Sequence, residues 1–259
     1  MIYISHLFSD QEMREVIEKT GAGVESIDFS ITDNLDHLSA AIENYRGRLR
    51  EMGAKNLTIH GPFLDLNPMT FDREIMKVVQ KRFAQAYTAA RELGAKKVVY
   101  HTGYHPQIYF LMGWADRMAD FFHEFLADRT EIQVVMENVF EKEWEPLLDV
   151  KKKVTEENFS LCLDVGHAHC YSDIPVTEWA RQLAPAIGHL HLHDNLGDKD
   201  AHLAIGDGNI EIETILKTIG EQRKGDCTYT IECNTKDDAI ASFQRLKCLL
   251  SLENSNPAW

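Results

Sequence analysis

The sequence predicts an α/β fold, a single (β/α)8 TIM barrel domain over residues 1–259, and three observations carry that prediction. Short apolar segments recur eight times along the chain, each is followed by a stretch of helical periodicity, and no linker or low-complexity tract interrupts the alternation. Strict strand–helix alternation implies right-handed parallel crossovers, and eight such units in 259 residues suit a closed ring better than an open sheet.

Taken in order, IYIS opens the chain, VESIDF follows, and LTIH is the third strand. The clearest helix comes next: Ile75, Val79, Phe83, Ala86, Ala90 and Leu93 keep the rhythm of one buried face, and Gly94 marks its end. KVVYH, QVVME and SLCLD supply the fourth, fifth and sixth strands. In the seventh, IGHLHLH, side chains alternate, so His189, His191 and His193 share one face while Leu190 and Leu192 take the other. TYTIE completes the set.

Composition bounds the function. A hydrophobic share of 44% is enough for a sizeable core, and a formal charge of −14 opposes nonspecific nucleic-acid binding. No run approaches the ~20 apolar residues of a membrane span, and the N-terminus lacks the regions of a signal peptide, so a cytoplasmic protein is expected. Five cysteines without a C-x-x-C pair suggest reduced thiols and no thiolate metal site.

Active sites of this fold lie at the carboxyl ends of the strands. Those ends carry His60, His101, Glu137, Asp164 with His167, His191 and Glu232. Converging on one axis, these carboxylates and imidazoles would face desolvation and like-charge repulsion unless a cation neutralised them. Oxygen and nitrogen donors suit zinc, manganese or cobalt, and no organic cofactor is called for.

The stretches HGPFLDLNP, VVMENVF, LCLDVGHAH, HLHLHDNLGDKDAHLAIGDGNI and the TIE of the last strand resemble the xylose isomerase-like barrels. That superfamily includes sugar isomerases and epimerases, inosose dehydratases and apurinic endonucleases. In its single-metal isomerases the resemblance implies Glu137, Asp164, His191 and Glu232 as ligands, with His167 near the substrate. The endonuclease branch implies three zinc ions and further ligands at His60, His101, His167, Asp200 and His202; all nine positions are filled here.

Charge placement separates the branches, because duplex DNA needs basic side chains around the site. The eight presumed loops at that end contain no arginine and only Lys142, Lys199 and Lys236, against many acids, and the endonuclease D-R-H pattern reads Asp200, Ala201, His202. A small neutral sugar or polyol is the expected substrate, with nucleic acid disfavoured. The expected reaction is isomerisation or epimerisation by proton transfer next to a carbonyl, through an enediolate. In it Glu137 and Glu232 move the proton and His167 holds a substrate oxygen. Phe63 and Tyr104 are expected to stack on the sugar, His193 to donate a hydrogen bond or serve as a ligand, and His189, one layer deeper, to fill the core or to partner a site residue from behind. Gly166 is expected to let the chain turn sharply. Gly197 lies near where some epimerases carry an arginine, which counts against ketohexose 3-epimerisation. A zinc phosphodiesterase acting on abasic DNA, an inosose dehydratase-like lyase and a noncatalytic polyol binder are the alternatives. The aromatics between Tyr109 and Trp114 suggest a subunit contact and thus a homo-oligomer.

Overall fold

The computed structural model describes residues 1–223 and 225–254. In chain order it runs β1 (Ile2–Ser5), α1 (Asp10–Thr20), β2 (Gly23–Ser26), α2 (Thr32–Asp36), α3 (Leu38–Met52), β3 (Leu57–His60), α4 (Arg73–Leu93), β4 (Lys97–His101) and α5 (Trp114–Leu126). It continues with β5 (Gln133–Glu137), α6 (Glu145–Lys153), β6 (Phe159–Asp164), α7 (Val165–Tyr171), α8 (Val176–Leu183), β7 (Ile187–Leu192), α9 (Ile212–Gln222), β8 (Thr228–Ile231) and α10 (Lys236–Asn254). The strands are parallel, each pairs with the next, and β8 closes onto β1.

Local chemistry sets the helix ends. Ser9 and Glu12 form a reciprocal capping box on α1, and Asp72 accepts from the backbone of Glu74 and Ile75 at the start of α4. Gly94 closes α4 at φ 72°, a left-handed conformation cheap only for glycine. Val79, Phe83, Ala86 and Ala90 form its buried face, whereas Ile75, in the first turn, is 47% exposed and Met76 packs on the core instead.

Two layers of apolar side chains follow from strand alternation. Val98, Val134, Leu161, Leu163, Leu190 and Leu192 belong to the main core, while Val99, Val135 and Cys162 form a separate small cluster. Those three occupy the opposite strand face and plug the barrel interior. β2 ends at Ser26 rather than running to Phe29, because residues 28–30 wind into a 3-10 turn.

The loop after β4 divides the aromatic patch. Ile108, Phe110 and Met112 point outward, but Trp114 is fully buried and packs its ring 6.0 Å from that of Tyr104. Among the described residues, no helix is long and apolar enough to cross a membrane. All five cysteines are free thiols.

Candidate metal centre

Register delivers the ligand-type side chains to one end of the barrel. Asp164 pairs with His191, His101 with Glu137, and Glu232 follows β8 directly. His191 Nδ1 lies 3.2 Å from Glu137 Oε1, 3.6 Å from Glu232 Oε1 and 3.8 Å from Asp164 Oδ2. The other oxygen of Glu137 faces His60 Nε2 and His101 Nε2, each at 3.5 Å. Asp200 gathers a third group: His202 Nε2 at 3.1 Å, His167 Nε2 at 3.4 Å and His193 Nε2 at 3.6 Å.

Backbone carbonyls orient three of these rings. His60 Nδ1 lies 2.9 Å from Gly61 O, His167 Nδ1 3.0 Å from Asn138 O, and His202 Nδ1 3.0 Å from Glu232 O. A carbonyl only accepts, so each Nδ1 carries a proton, and in a neutral ring Nε2 is then a bare lone pair. Each of those Nε2 atoms faces a carboxylate oxygen, an arrangement that repels unless a cation sits between them. A proton is one such cation: burial opposes charge on His202, yet Asp200 and Glu232 outweigh it and lift the imidazole to about 9. At His101 burial wins over Glu137 and holds the pKa down to about 3.

A divalent ion fits the remaining atoms. Both oxygens of Glu137, Asp164 Oδ2, Asp200 Oδ1 and both ring nitrogens of His191 and His193 are buried without a hydrogen bond. Each such orphan costs about 1–3 kcal/mol, and one coordinated cation satisfies several together. The donors are nitrogen and oxygen only, as zinc, manganese or cobalt accept.

Asp164 is held from two sides. It caps α7, its Oδ1 accepting from His167 N at 2.6 Å, and Asn138 clamps its backbone with bonds of 2.9 and 3.0 Å. Gly166 does not adopt a positive φ; a Cβ there would lie 1.9 Å from His193 Cε1, so the glycine makes room for that ring rather than for a turn. His193 in turn stacks on His202 with centroids 4.0 Å apart and reaches within 3.3 Å of Asp164 Oδ1. His202 sits at φ 49°, a strained backbone for a non-glycine residue, which sets its ring against Asp200.

Phe63 lies beside the histidines, its ring 4.6 Å from His101 and 5.2 Å from His60. Tyr104, only 7% exposed, packs into the loop base beside Trp114. His189 bonds Thr228 Oγ1 at 2.6 Å and Thr230 Oγ1 at 2.9 Å inside the barrel. Reading strand ends alone passed over Asn138 and Glu25. Glu25 is a fully buried carboxylate one residue before the end of β2, with its Oε1 3.0 Å from His191 Nε2. Its signal was an acid within a strand, which has no solvent to face inside a barrel.

A second buried acid tests the electrostatics. Glu141 Oε2 accepts from Val139 N at 2.7 Å and its Oε1 pairs with Thr102 Oγ1, yet burial pushes the carboxyl up from 4.5 to about 7. Between those values the folded chain holds a proton that the unfolded chain has released, so stability falls as pH rises through the window. Glu141→Gln is therefore expected to stabilise the chelator-treated protein at pH 8 by on the order of 3 kcal/mol, with little effect at pH 4.5. Urea unfolding at the two pH values measures this, and equal shifts at both would refute it.

Comparison with known proteins agrees with this architecture. An uncharacterized protein of Methanocaldococcus jannaschii is 27% identical over 244 residues, covering 88% of this chain and 81% of the other. A probable endonuclease 4 of Shouchella clausii is 24% identical over 67% of this chain and 66% of its own. Among solved structures, a D-tagatose 3-epimerase-like protein superposes with a TM-score of 0.77 at 25% identity, covering 98% of both chains. A Thermus thermophilus protein soaked with zinc chloride gives 0.78 at 24% identity and 99% of both chains. Residues 19–249 match the family described as the xylose isomerase-like TIM barrel, and the chain belongs to that family.

Proposed function

We propose that the chain is a divalent-metal-dependent isomerase or epimerase of a small sugar or polyol, working by proton transfer next to a carbonyl through an enediolate. The observation that carries this reading is the contrast between floor and rim. The floor holds Glu137, Asp164 and Glu232 around His191 Nδ1. The rim exposes Leu64, Phe71 and Leu196, and its loops contain no arginine. Arg117 of α5 reaches this edge only to lie over the Phe71 ring, 4.2 Å from its centroid. Such a mouth suits a compact polar ligand with apolar faces better than a polyanion.

A divalent ion held by Glu137, Asp164, His191 and Glu232 supplies Lewis-acid polarisation of a carbonyl and offsets charge developing on oxygen. The zinc-soaked Thermus neighbour supports zinc as the first metal to try. Glu137 and Glu232 come from β5 and the end of β8, so they approach a reacting carbon from different sides. One removes the proton and the other, or the same one, returns it. His167, its Nδ1 against Asn138 O, presents Nε2 to a substrate oxygen. Phe63 covers an apolar sugar face and excludes water. The same proposal takes the free thiols as those of a cytoplasmic enzyme and outward Ile108, Phe110 and Met112 as the contact of a homo-oligomer.

The test is zinc-loaded protein in deuterium oxide with a panel of aldoses, ketoses and inososes. Deuterium entering the C–H next to the carbonyl supports the proposal, and loss of water would shift it to the lyase. A second reading, a three-ion phosphodiesterase, is favoured by the carbonyl-fixed rings of His60, His167 and His202, each facing a carboxylate. Three ions per chain with salt-sensitive nicking of abasic duplex, and no exchange on any sugar, would establish it instead.

A further inference from the structure

We infer that Glu25 is the positioning residue that fixes the tautomer of His191, holding a proton on Nε2 so that Nδ1 is free to ligate a metal ion. The inference rests on the metal-centre reading above and adds to it a residue from deeper in the barrel. Glu25 stands on β2 opposite Thr58 of β3, while Thr230 of β8 stands opposite His191 of β7. All four side chains are fully buried inside the ring of strands.

The hydrogen bonds there have one consistent direction. Thr58 Oγ1 and Thr230 Oγ1 both donate to Glu25 Oε2, each at 2.9 Å. A hydroxyl has a single proton, so Thr230 must accept from His189 Nε2, 2.9 Å away. His189 Nδ1 is then the acceptor for Thr228 Oγ1 at 2.6 Å. These donors occupy Oε2 and leave Oε1 with no hydrogen bond, 3.0 Å from His191 Nε2, which is itself without one.

Two states fill that gap. In one, Glu25 Oε1 accepts from a proton that stays on Nε2, and His191 Nδ1 turns a lone pair to Glu137, Asp164 and Glu232, as a ligand must. A protonated Glu25 would donate to Nε2 and put N–H at Nδ1, where a metal cannot bind. Thr58 and Thr230 already aim their hydroxyl protons at this carboxylate, which places it as the acceptor of the group, and the first state follows. A carboxylate behind a ligating imidazole both orients the ring and strengthens it as a donor, and loss of such a partner weakens metal binding about 10–100-fold.

Zinc is the probe. In zinc-loaded protein labelled with 15N-histidine, His191 is expected to show a protonated Nε2 and a proton-free Nδ1, a readout that needs no variant. In chelator competition, Glu25→Leu is expected to bind zinc about 10–100-fold more weakly than the wild type. Glu25→Gln, whose carbonyl still accepts from Nε2–H, is expected to recover part of that loss. A proton on His191 Nδ1, or wild-type zinc affinity in Glu25→Leu, overturns the inference while leaving the metal centre standing. A wild-type protein that binds no zinc overturns both.

Discussion

Glu137→Gln is expected to lower turnover by at least about three orders of magnitude while leaving the fold intact. Glu137 faces four of the clustered histidines: Oε1 lies 3.2 Å from His191 Nδ1 and 3.4 Å from His167 Nδ1, and Oε2 lies 3.5 Å from both His60 and His101 Nε2. Glutamine keeps the shape but removes a charge and points an NH2 group at a cation or at another donor. Loss of a general base alone costs about 10²–10⁴-fold, and loss of a metal ligand adds to that. The shape-preserving change should leave far-UV circular dichroism unaltered, since the side chain is 1% exposed and contributes volume as well as charge. The measurement is the rate of deuterium wash-in to the substrate, with metal content determined on the same sample. A variant keeping a tenth of wild-type exchange would remove Glu137 from the chemistry.

The barrel was legible because its signals are local and repeated. Each strand is a short apolar run, and the stop at Gly94 is encoded by one residue whose φ of 72° suits glycine. Residues at the strand ends were legible as a group because the fold itself converges them on one axis. What local pattern does not encode is partnership across the ring. Glu25 bonds to Thr58 and Thr230, 33 and 205 residues away, and nothing near it in sequence announces either. The expected extension of β2 to Phe29 concealed it further, by placing the acid well before the strand's end, whereas the strand stops at Ser26. Gly166 shows the same limit from the other side. Its neighbours suggested a turn, but the constraint comes from the His193 ring, which arrives from the end of the following strand.

Removing bound metal is expected to lower the melting temperature by roughly 10 °C at pH 8, and less at pH 6. Free ion at about a thousand times its dissociation constant stabilises the folded state by about 4 kcal/mol, and each kcal/mol shifts the midpoint of a chain this size by about 2–4 °C. The pH dependence follows from what replaces the ion. In stripped protein, protons on the imidazoles are the remaining cations between the histidines and their carboxylates, and His202, lifted to about 9 by Asp200 and Glu232 against its burial, is charged at both pH values. Zinc on His191 must displace the proton that Cys162, Glu137 and Glu232 favour there against burial, so its affinity rises with pH and the gap between loaded and stripped protein widens. The comparison is differential scanning calorimetry of chelator-treated protein with and without restored zinc, at both pH values. Identical midpoints at pH 8 would mean that protons alone hold the cluster together, and the buried orphan atoms of Glu137, Asp164 and His191 would then need another partner.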